Sequence, residues 1–389
     1  MNRENARTES PSGGRPPGTA AIAIAAGGTG GHIMPAISVG RALGAIAPQC
    51  RVEYVCGRRE QEAEWFRAAG IAPVRLPIGR MGRGLWGKSG AVAALAFSVA
   101  KMIVFVRRAR IGVVLGMGGY LSAPPCVAAL ILRRPIVIHE ANAVLGRTNR
   151  WLARRARLTA GAYKELENLV PAGRFRWTGN PVRETMGTAS REDGCREFGL
   201  APARPVVAVT GGSQGAASLN RFVGEALRRL DAAQPGARIQ VVWACGRNDY
   251  EECMRQYPAD SFRGIDVRMF PFIAKMESFW AAASLAITRA GASTLSEMAL
   301  CGVPAVIFPL RSAMDDHQRL NAEALVGAGA ATAMSEYDNR PEQLAGAVAD
   351  LLANAEKLKA MSAAARTLAR PNAARDIARL ALEAAQCGG

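Results

Sequence analysis

Four short stretches of the chain set glycine beside residues that bind anions or move protons: GGTGGH (27–32), GMGGY (116–120), GGSQGA (211–216) and RAGAST (289–294). Each follows an apolar run, and each can open a helix. The first N–H groups of a helix have no internal partner and its dipole is positive there, so such loops favour phosphate. The first loop ends on His32. An imidazole titrates near neutral pH, so beside a bound phosphate it can hydrogen-bond the anion, cap the helix or take a proton from a hydroxyl. Glu140, at the end of RPIVIHE, is a competing base.

Other chemistries fit these loops less well. Residues 28–33 miss the G-x-G-x-x-G dinucleotide pattern, because Ile33 stands at the last glycine position. Arg58 and Arg59 follow the second apolar run where an acidic ribose ligand would stand, although arginines there could take a 2′-phosphate. G-x-x-x-x-G-K-[ST] is absent. Gly211, Ser213 and Gly215 do match the G-x-S-x-G nucleophile elbow, and Asp266 and His317 follow in hydrolase order. A serine beside glycines at a helix start is also a common cap. No D-x-D occurs, so no metal is expected, and arginine with helix termini could hold a diphosphate instead.

The elements that must position these residues repeat in two halves. AIAIAA (21–26), RVEYVC (51–56), IGVVLG (111–116) and RPIVIHE (134–140) read as strands, with helices predicted from about Ile33 to Ala47 and from Arg59 to Ala69. After a Gly- and Pro-rich break at TGNPVRETMG (178–187) the pattern restarts. RPVVAVTGG (204–212), RIQVVWACG (238–246), IDVRMF (265–270), SLAITRAG (284–291) and VPAVIFP (303–309) are its strands. Apolar strands alternating with helices imply parallel sheets buried on both faces. The fold class expected is α/β, with two Rossmann-like doubly wound domains facing across a deep cleft and ligands beyond the carboxyl ends of the strands.

The 389 residues suffice for two such domains. Lys plus Arg number 49 against 32 Asp plus Glu, a net charge of +17 that favours anionic partners. No zinc-finger spacing or aromatic–basic RNA signature occurs, so nucleic acid is not an expected partner. Eight scattered cysteines without C-x-x-C suit a reduced protein. Residues 1–19 are polar and rich in Pro, Gly and Ser, with no apolar core of a signal peptide, and read as a disordered tail. AVAALAFSVAKMIVFV (91–106) is shorter than a span of about 20 residues. It reads either as a buried helix or as a surface contact with anionic lipid. Leu85 and Trp86 precede it, and Arg80, Arg83, Lys88, Arg107, Arg108 and Arg110 flank it.

GGTGGHIMPA, VLGMGGYLSAPP, HEANAVLGRTNR, GNPVR, GGSQGAASLN and AGASTLSEMALCGVPAVIFP, in this order from about residue 20, closely resemble the MurG family of peptidoglycan N-acetylglucosaminyltransferases. The resemblance implies the GT-B fold. Residues 20–180 would form the acceptor and membrane side, 181–370 the donor side, and 371–389 a helix returning to the first domain. It implies UDP-N-acetylglucosamine (UDP-GlcNAc) as donor and undecaprenyl-diphospho-MurNAc-pentapeptide as acceptor. The reaction would be an inverting β1→4 transfer needing no cofactor. The enzyme would sit peripherally on the cytoplasmic side of the inner membrane, on anionic lipid. Thr29, Gly30 and Gly31 would bind the acceptor's diphosphate, with His32 or Glu140 as base. Ala292, Ser293, Thr294, Leu295, Ser296 and Glu297 would form the nucleotide site, with Glu297 on the ribose. Ser213 would meet the donor diphosphate, Ile273 the uracil through its backbone, Arg183 the nucleotide, and Asn142 and Gln318 the sugar. Hinge, turn or cap duty remains the alternative for Arg183, Asn142 and Gln318. Two departures from the family pattern stand out: Ala141 in HEAN and His317 in DDHQ each replace a glutamine. Without the resemblance, the same residues would also serve a sugar-nucleotide sensor or a related transferase with another acceptor.

Overall fold

The computed structural model describes residues 21–78, 85–212, 215–236 and 238–386, with side chains described outside 85–92 and Met314. The N-terminal tail, Arg80, Arg83, Ser213 and the side chains of Leu85, Trp86 and Lys88 lie outside the described residues. In the first half the order is β1 (Ala21–Ala25), α1 (Gly30–Ile46), β2 (Arg51–Cys56), α2 (Glu60–Ala68), β3 (Val74–Arg75), α3 (Leu85–Arg108) and β4 (Ile111–Gly116). There follow α4 (Ala123–Ile131), β5 (Ile136–Glu140), α5 (Arg147–Ala153), β6 (Leu158–Gly161) and β7 (Phe175–Trp177). The second half runs α6 (Arg191–Glu197), β8 (Val206–Thr210), α7 (Ala217–Ala233), β9 (Ile239–Ala244), α8 (Tyr250–Gln256), β10 (Ile265–Phe270), α9 (Met276–Ala282), β11 (Leu285–Arg289) and α10 (Ala292–Cys301). It ends with β12 (Ala305–Phe308), α11 (His317–Gly327), β13 (Ala331–Ala333), α12 (Pro341–Ala353), α13 (Ala355–Thr367) and α14 (Ala373–Gln386).

Two sheets result, in the orders β3-β2-β1-β4-β5-β6-β7 and β10-β9-β8-β11-β12-β13, and the described pairings are parallel. The central strands β1, β5, β8 and β11 are buried along their whole length. That burial explains their unbroken apolar sequence: both faces are covered by helices. Each sheet is doubly wound, as the strand pattern predicted. Ile377, Ala378, Ala381 and Ala384 of α14 pack into the core of the first sheet beside Ile22, Leu43 and Val113. The chain therefore crosses between the halves twice, once after β7 and once before α14.

α1 begins at Gly30 rather than near Ile33, so His32 lies inside its first turn and not in the loop before it. Glycine weakens a helix interior, but the first turn carries few of the helix's bonds, so two glycines are tolerated there. α3 is not wholly buried. Ser98, Met102 and Val106 face inward, while Leu95, Phe97 and Val104 are exposed.

Candidate functional site

The segments that follow β1 and β5 in one half meet α10 and α11, which follow β11 and β12 in the other. In the first half, His32 is the third residue of α1, and its Nδ1 lies 3.3 Å from Thr29 Oγ1. Its ring rests on the backbone of the GMGGY loop. A Cβ at Gly118 would stand 3.1 Å from the imidazole Cδ2, and Gly118 and Gly119 both hold positive φ. Those two glycines thus make room for the histidine. Burial holds the His32 pKa below its ordinary value, against the opposing pull of Glu140; the charge of His317 across the cleft lowers it further. His139, just behind, donates from Nε2 to the Gly179 carbonyl at 3.2 Å, and burial pushes its pKa down to about 4.

Glu140 is 4% exposed, and its carboxylate is fully engaged. Oε1 accepts from the Asn142 backbone N–H (3.1 Å) and from Asn142 Nδ2 (3.0 Å); Oε2 accepts from Gly146 N–H (3.0 Å) and Asn149 Nδ2 (2.9 Å). Four donors fill the four lone-pair positions of a carboxylate. In this arrangement Glu140 organises the loop from Ala141 to Gly146.

In the second half, α10 starts at Ala292 as predicted, with the N–H groups of its first turn facing the cleft. Glu297 accepts from the indole N–H of Trp280 at 3.0 Å. Burial raises its pKa, while the Trp280 bond and the nearby Arg183 guanidinium pull it back. Arg183 comes from the connection between the halves and donates to the Ala274 carbonyl at 2.8 Å. Its Nε is buried with no partner among the described residues. Ile273 stands next to Ala274, its side chain buried in the core. The structure therefore brings Arg183, Glu297, Ile273 and the start of α10 together.

The two halves touch at the mouth of the cleft. Ser293 Oγ donates to the Gly31 carbonyl at 3.2 Å. The buried Asn321 of α11 donates to Asn142 Oδ1 (3.1 Å) and accepts from the Ala143 N–H (2.8 Å). Asn142 is thus occupied by protein partners on both its oxygen and its nitrogen. Gln318 turns its amide oxygen to the Leu310 N–H at 3.0 Å. His317 opens α11 one turn before Asn321 and so shares the side that faces the first half. Ala141 is buried.

Ser213 lies outside the described residues, but the hydrolase arrangement fails on Asp266. That residue is second in β10, about 13 Å from the carboxyl end of the strand at 3.3 Å per residue, and it is paired with Arg268. Among the described residues no three His, Cys, Asp or Glu side chains gather as a metal site. Sequence reasoning missed Asn149, Trp280, Asn321 and Glu62, whose partners stand at no regular spacing along the chain. HEAN was visible, but an asparagine nine residues after Glu140 carries no signal of its own.

Residues 22–160 match the glycosyltransferase family 28 N-terminal domain, and residues 206–379 its C-terminal domain. A UDP-N-acetylglucosamine--N-acetylmuramyl-(pentapeptide) pyrophosphoryl-undecaprenol N-acetylglucosamine transferase of Halorhodospira halophila is 38% identical over 369 residues, covering 94% of this chain and 98% of that protein. The enzyme of the same name from Alkalilimnicola ehrlichii is 39% identical over 374 residues, covering 95% and 100%. The crystal structure of Acinetobacter baumannii MurG superposes with a TM-score of 0.74 at 29% identity, covering 94% of this chain and 99% of that one.

Proposed function

The chain belongs to the MurG family of glycosyltransferase family 28, and from that membership we propose that it transfers N-acetylglucosamine from UDP-GlcNAc to the C4 hydroxyl of undecaprenyl-diphospho-MurNAc-pentapeptide. The observation that carries the reading is the meeting of two helix starts, α1 and α10, from opposite domains, joined at Ser293 and Gly31 with His32 beside them. Each helix start suits one diphosphate, and the reaction has two: one on the donor and one on the lipid acceptor.

The acceptor oxygen attacks the anomeric carbon from the face opposite UDP. The bond from that carbon to the β-phosphate oxygen breaks, and its electron pair leaves with UDP, which inverts the centre. The hydroxyl proton goes to His32, whose depressed pKa keeps it neutral and able to accept at neutral pH. Glu297 and Arg183 hold the nucleoside, and the first turn of α10 faces the donor diphosphate. Ser213, Ile273 and Gln318 keep the donor contacts assigned by resemblance, while Glu140 shapes the loop that carries Asn142.

A lipid acceptor requires contact with a bilayer. No helix among the described residues is long and apolar enough to cross one. α3 packs along α4, and α4 against α5. These helices expose Leu95, Phe97, Val104, Ile131 and Trp151, with Arg107, Arg108, Arg133, Arg134, Arg154 and Arg155 also at the surface. Apolar side chains rimmed by arginine suit an anionic bilayer surface, here the cytoplasmic face of the inner membrane.

The deciding experiment supplies UDP-GlcNAc with the authentic lipid acceptor and follows UDP release and the disaccharide product. Acceptor-dependent release with a β1→4 product is expected. Donor binding without turnover would leave a sensor, and turnover only on another acceptor would move the chain to another branch of the fold.

A further inference from the structure

Glu62 is 1% exposed, yet it carries a carboxylate directly behind the first glycine loop. It is the third residue of α2. Its Oε1 accepts from the Gly28 N–H at 3.0 Å, and its Oε2 from the Gly57 N–H at 2.8 Å. One side chain thus ties the β1–α1 loop to the β2–α2 loop. The glycines around it leave the space: a Cβ at Gly27 would stand 2.8 Å, and one at Gly57 2.7 Å, from Glu62 Oε2. Part of the glycine content of GGTGGH therefore serves this carboxylate.

A buried negative charge behind an anion-binding loop works against the anion, so a purely mechanical strut would better be neutral. Two features offset the cost here. Glu62 sits in the first turn of α2, where the helix dipole favours an acid. Both its bonds are charge-assisted, and each uses a different oxygen, so a glutamine would turn its NH2 against one of the two backbone donors.

We infer that Glu62 is a positioning residue of the acceptor half: it fastens Gly28 and Gly57 so that the first turn of α1 presents the Gly30 and Gly31 N–H groups and the His32 imidazole toward one point. This rests on the transferase reading above. The charge of Glu62 also reaches His32. The ionisable groups acting on that imidazole are Glu140 from β5, His317 from α11 and Glu62 from α2, while the buried His139 of β5 behind it stays neutral. The two carboxylates raise its proton affinity, and His317 opposes them. Glu140 pulls harder on the imidazole but ties its own loop, whereas Glu62 adds a smaller pull and is the acid that ties the glycine loop.

The test compares wild type with Glu62→Gln and Glu62→Asp. The chain has three histidines, so the imidazole signals can be titrated by NMR, with His32 assigned by its loss in His32→Ala. Glu62→Gln is expected to lower the His32 midpoint. It should also move the acidic limb of kcat by the same amount and raise acceptor KM roughly tenfold. UDP affinity, measured by calorimetry, should stay within about twofold. Glu62→Asp keeps the charge and shortens the reach, so it should raise acceptor KM while leaving the midpoint near wild type; it also serves if the glutamine variant does not fold. An unmoved midpoint in Glu62→Gln, or an unmoved acceptor KM in both variants, overturns the inference. If wild type shows no transfer to the lipid acceptor, the functional reading fails instead, and the NMR arm still decides the influence of Glu62 on His32.

Discussion

Ser293 of the second domain donates to the carbonyl of Gly31 in the first, and it can do so because Pro35 stands four residues after that glycine. In an unbroken helix the N–H of residue 35 would take the Gly31 oxygen. Proline has no N–H, so the carbonyl is left for a partner across the cleft. The same proline that lies awkwardly inside α1 thereby creates a latch between the domains. Pro35→Ala supplies the missing donor. It should leave thermal stability unchanged or slightly higher while loosening the cleft, and Ser293→Ala should loosen it without touching α1. Spin labels on the two domains should report a broader, longer interdomain distance in both variants. A distribution unchanged from wild type in both would show that the contact does not hold the domains.

His32→Ala should lower kcat by roughly 10²–10⁴-fold while UDP affinity holds, the usual consequence of losing a general base. The free imidazole must be neutral to accept a proton, so kcat rises with pH through its pKa. Burial depresses that pKa, which puts the acidic limb below the ordinary histidine value of about 6.5. Glu140→Gln should act differently. It breaks the bonds to Asn142, Gly146 and Asn149, so acceptor and donor KM should both suffer and the acidic limb should persist. A Glu140→Gln enzyme with normal KM and no acidic limb would exchange the two roles.

His139 ties acid stability to the fold. Its Nε2 faces a carbonyl, so that nitrogen carries the hydrogen, and burial keeps the ring neutral in the folded state. Its folded pKa is about 4, below the unfolded value of about 6.5. Between these values the unfolded chain binds more protons than the folded one. Stability therefore rises with pH across the window and is lost as pH falls from about 6.5 toward 4. The effect is at most on the order of 3 kcal/mol, at 1.36 kcal/mol per pKa unit. Urea unfolding at a series of pH values should show a shallower slope in His139→Asn than in wild type. Equal slopes would mean that the imidazole does not titrate with unfolding.

The frame of this molecule was legible because buried parallel strands leave little choice of sequence. AIAIAA, IGVVLG and RPIVIHE contain the observed β1, β4 and β5, which are buried along all or nearly all of their length. The short strands β3, β7 and β13 were not legible. Each has two or three residues at the margin of a sheet, where the neighbour's backbone, not a pattern of their own, makes the strand. In the cleft, glycine loops marked the helix starts, and the chain places His32 in the first turn of α1 and Arg183 close to Glu297 of α10. The ties that hold the site were invisible. Asn321 meets Asn142 at a separation of 179 residues, and Glu62 meets Gly28 across 34. Nothing local marks an asparagine or a glutamate for such a partner.

Glu297→Ala should weaken UDP binding by removing charge-assisted hydrogen bonds worth on the order of 1.5–3 kcal/mol each, and it also strands the Trp280 N–H. Donor KM should rise far more than acceptor KM. The ionised carboxylate is the better acceptor for ribose hydroxyls, and burial raises its pKa. UDP affinity should therefore fall as pH drops through that raised value, and the fall should be absent in the alanine variant. Calorimetry showing wild-type affinity in Glu297→Ala would remove this residue from the ribose.

Phe97 is 64% exposed on α3, and Ile131 is 57% exposed at the end of α4. Lys101 and Val104 follow Phe97 at four and seven residues, so the three share one outward stripe of the helix. A soluble surface gains nothing from such side chains, whereas a bilayer surface buries them at roughly 25 cal/mol per Å² of apolar area. The arginines at the end of α3 and along the α4–β5 turn and α5 add attraction to anionic headgroups, which salt screens. Vesicle sedimentation should show binding that rises with anionic lipid and falls with salt. Phe97→Ser with Ile131→Ser should weaken binding at every salt concentration, because an apolar contribution is not screened. Arg107→Gln with Arg134→Gln should weaken it mainly at low salt. Turnover on bilayer-embedded acceptor should fall with binding in both double variants, while turnover on a short-chain, water-soluble acceptor should stay near wild type. Equal binding of wild type to neutral and anionic vesicles at low salt would refute the surface, as would loss of activity on the soluble acceptor, since that would tie these residues to catalysis rather than to the bilayer.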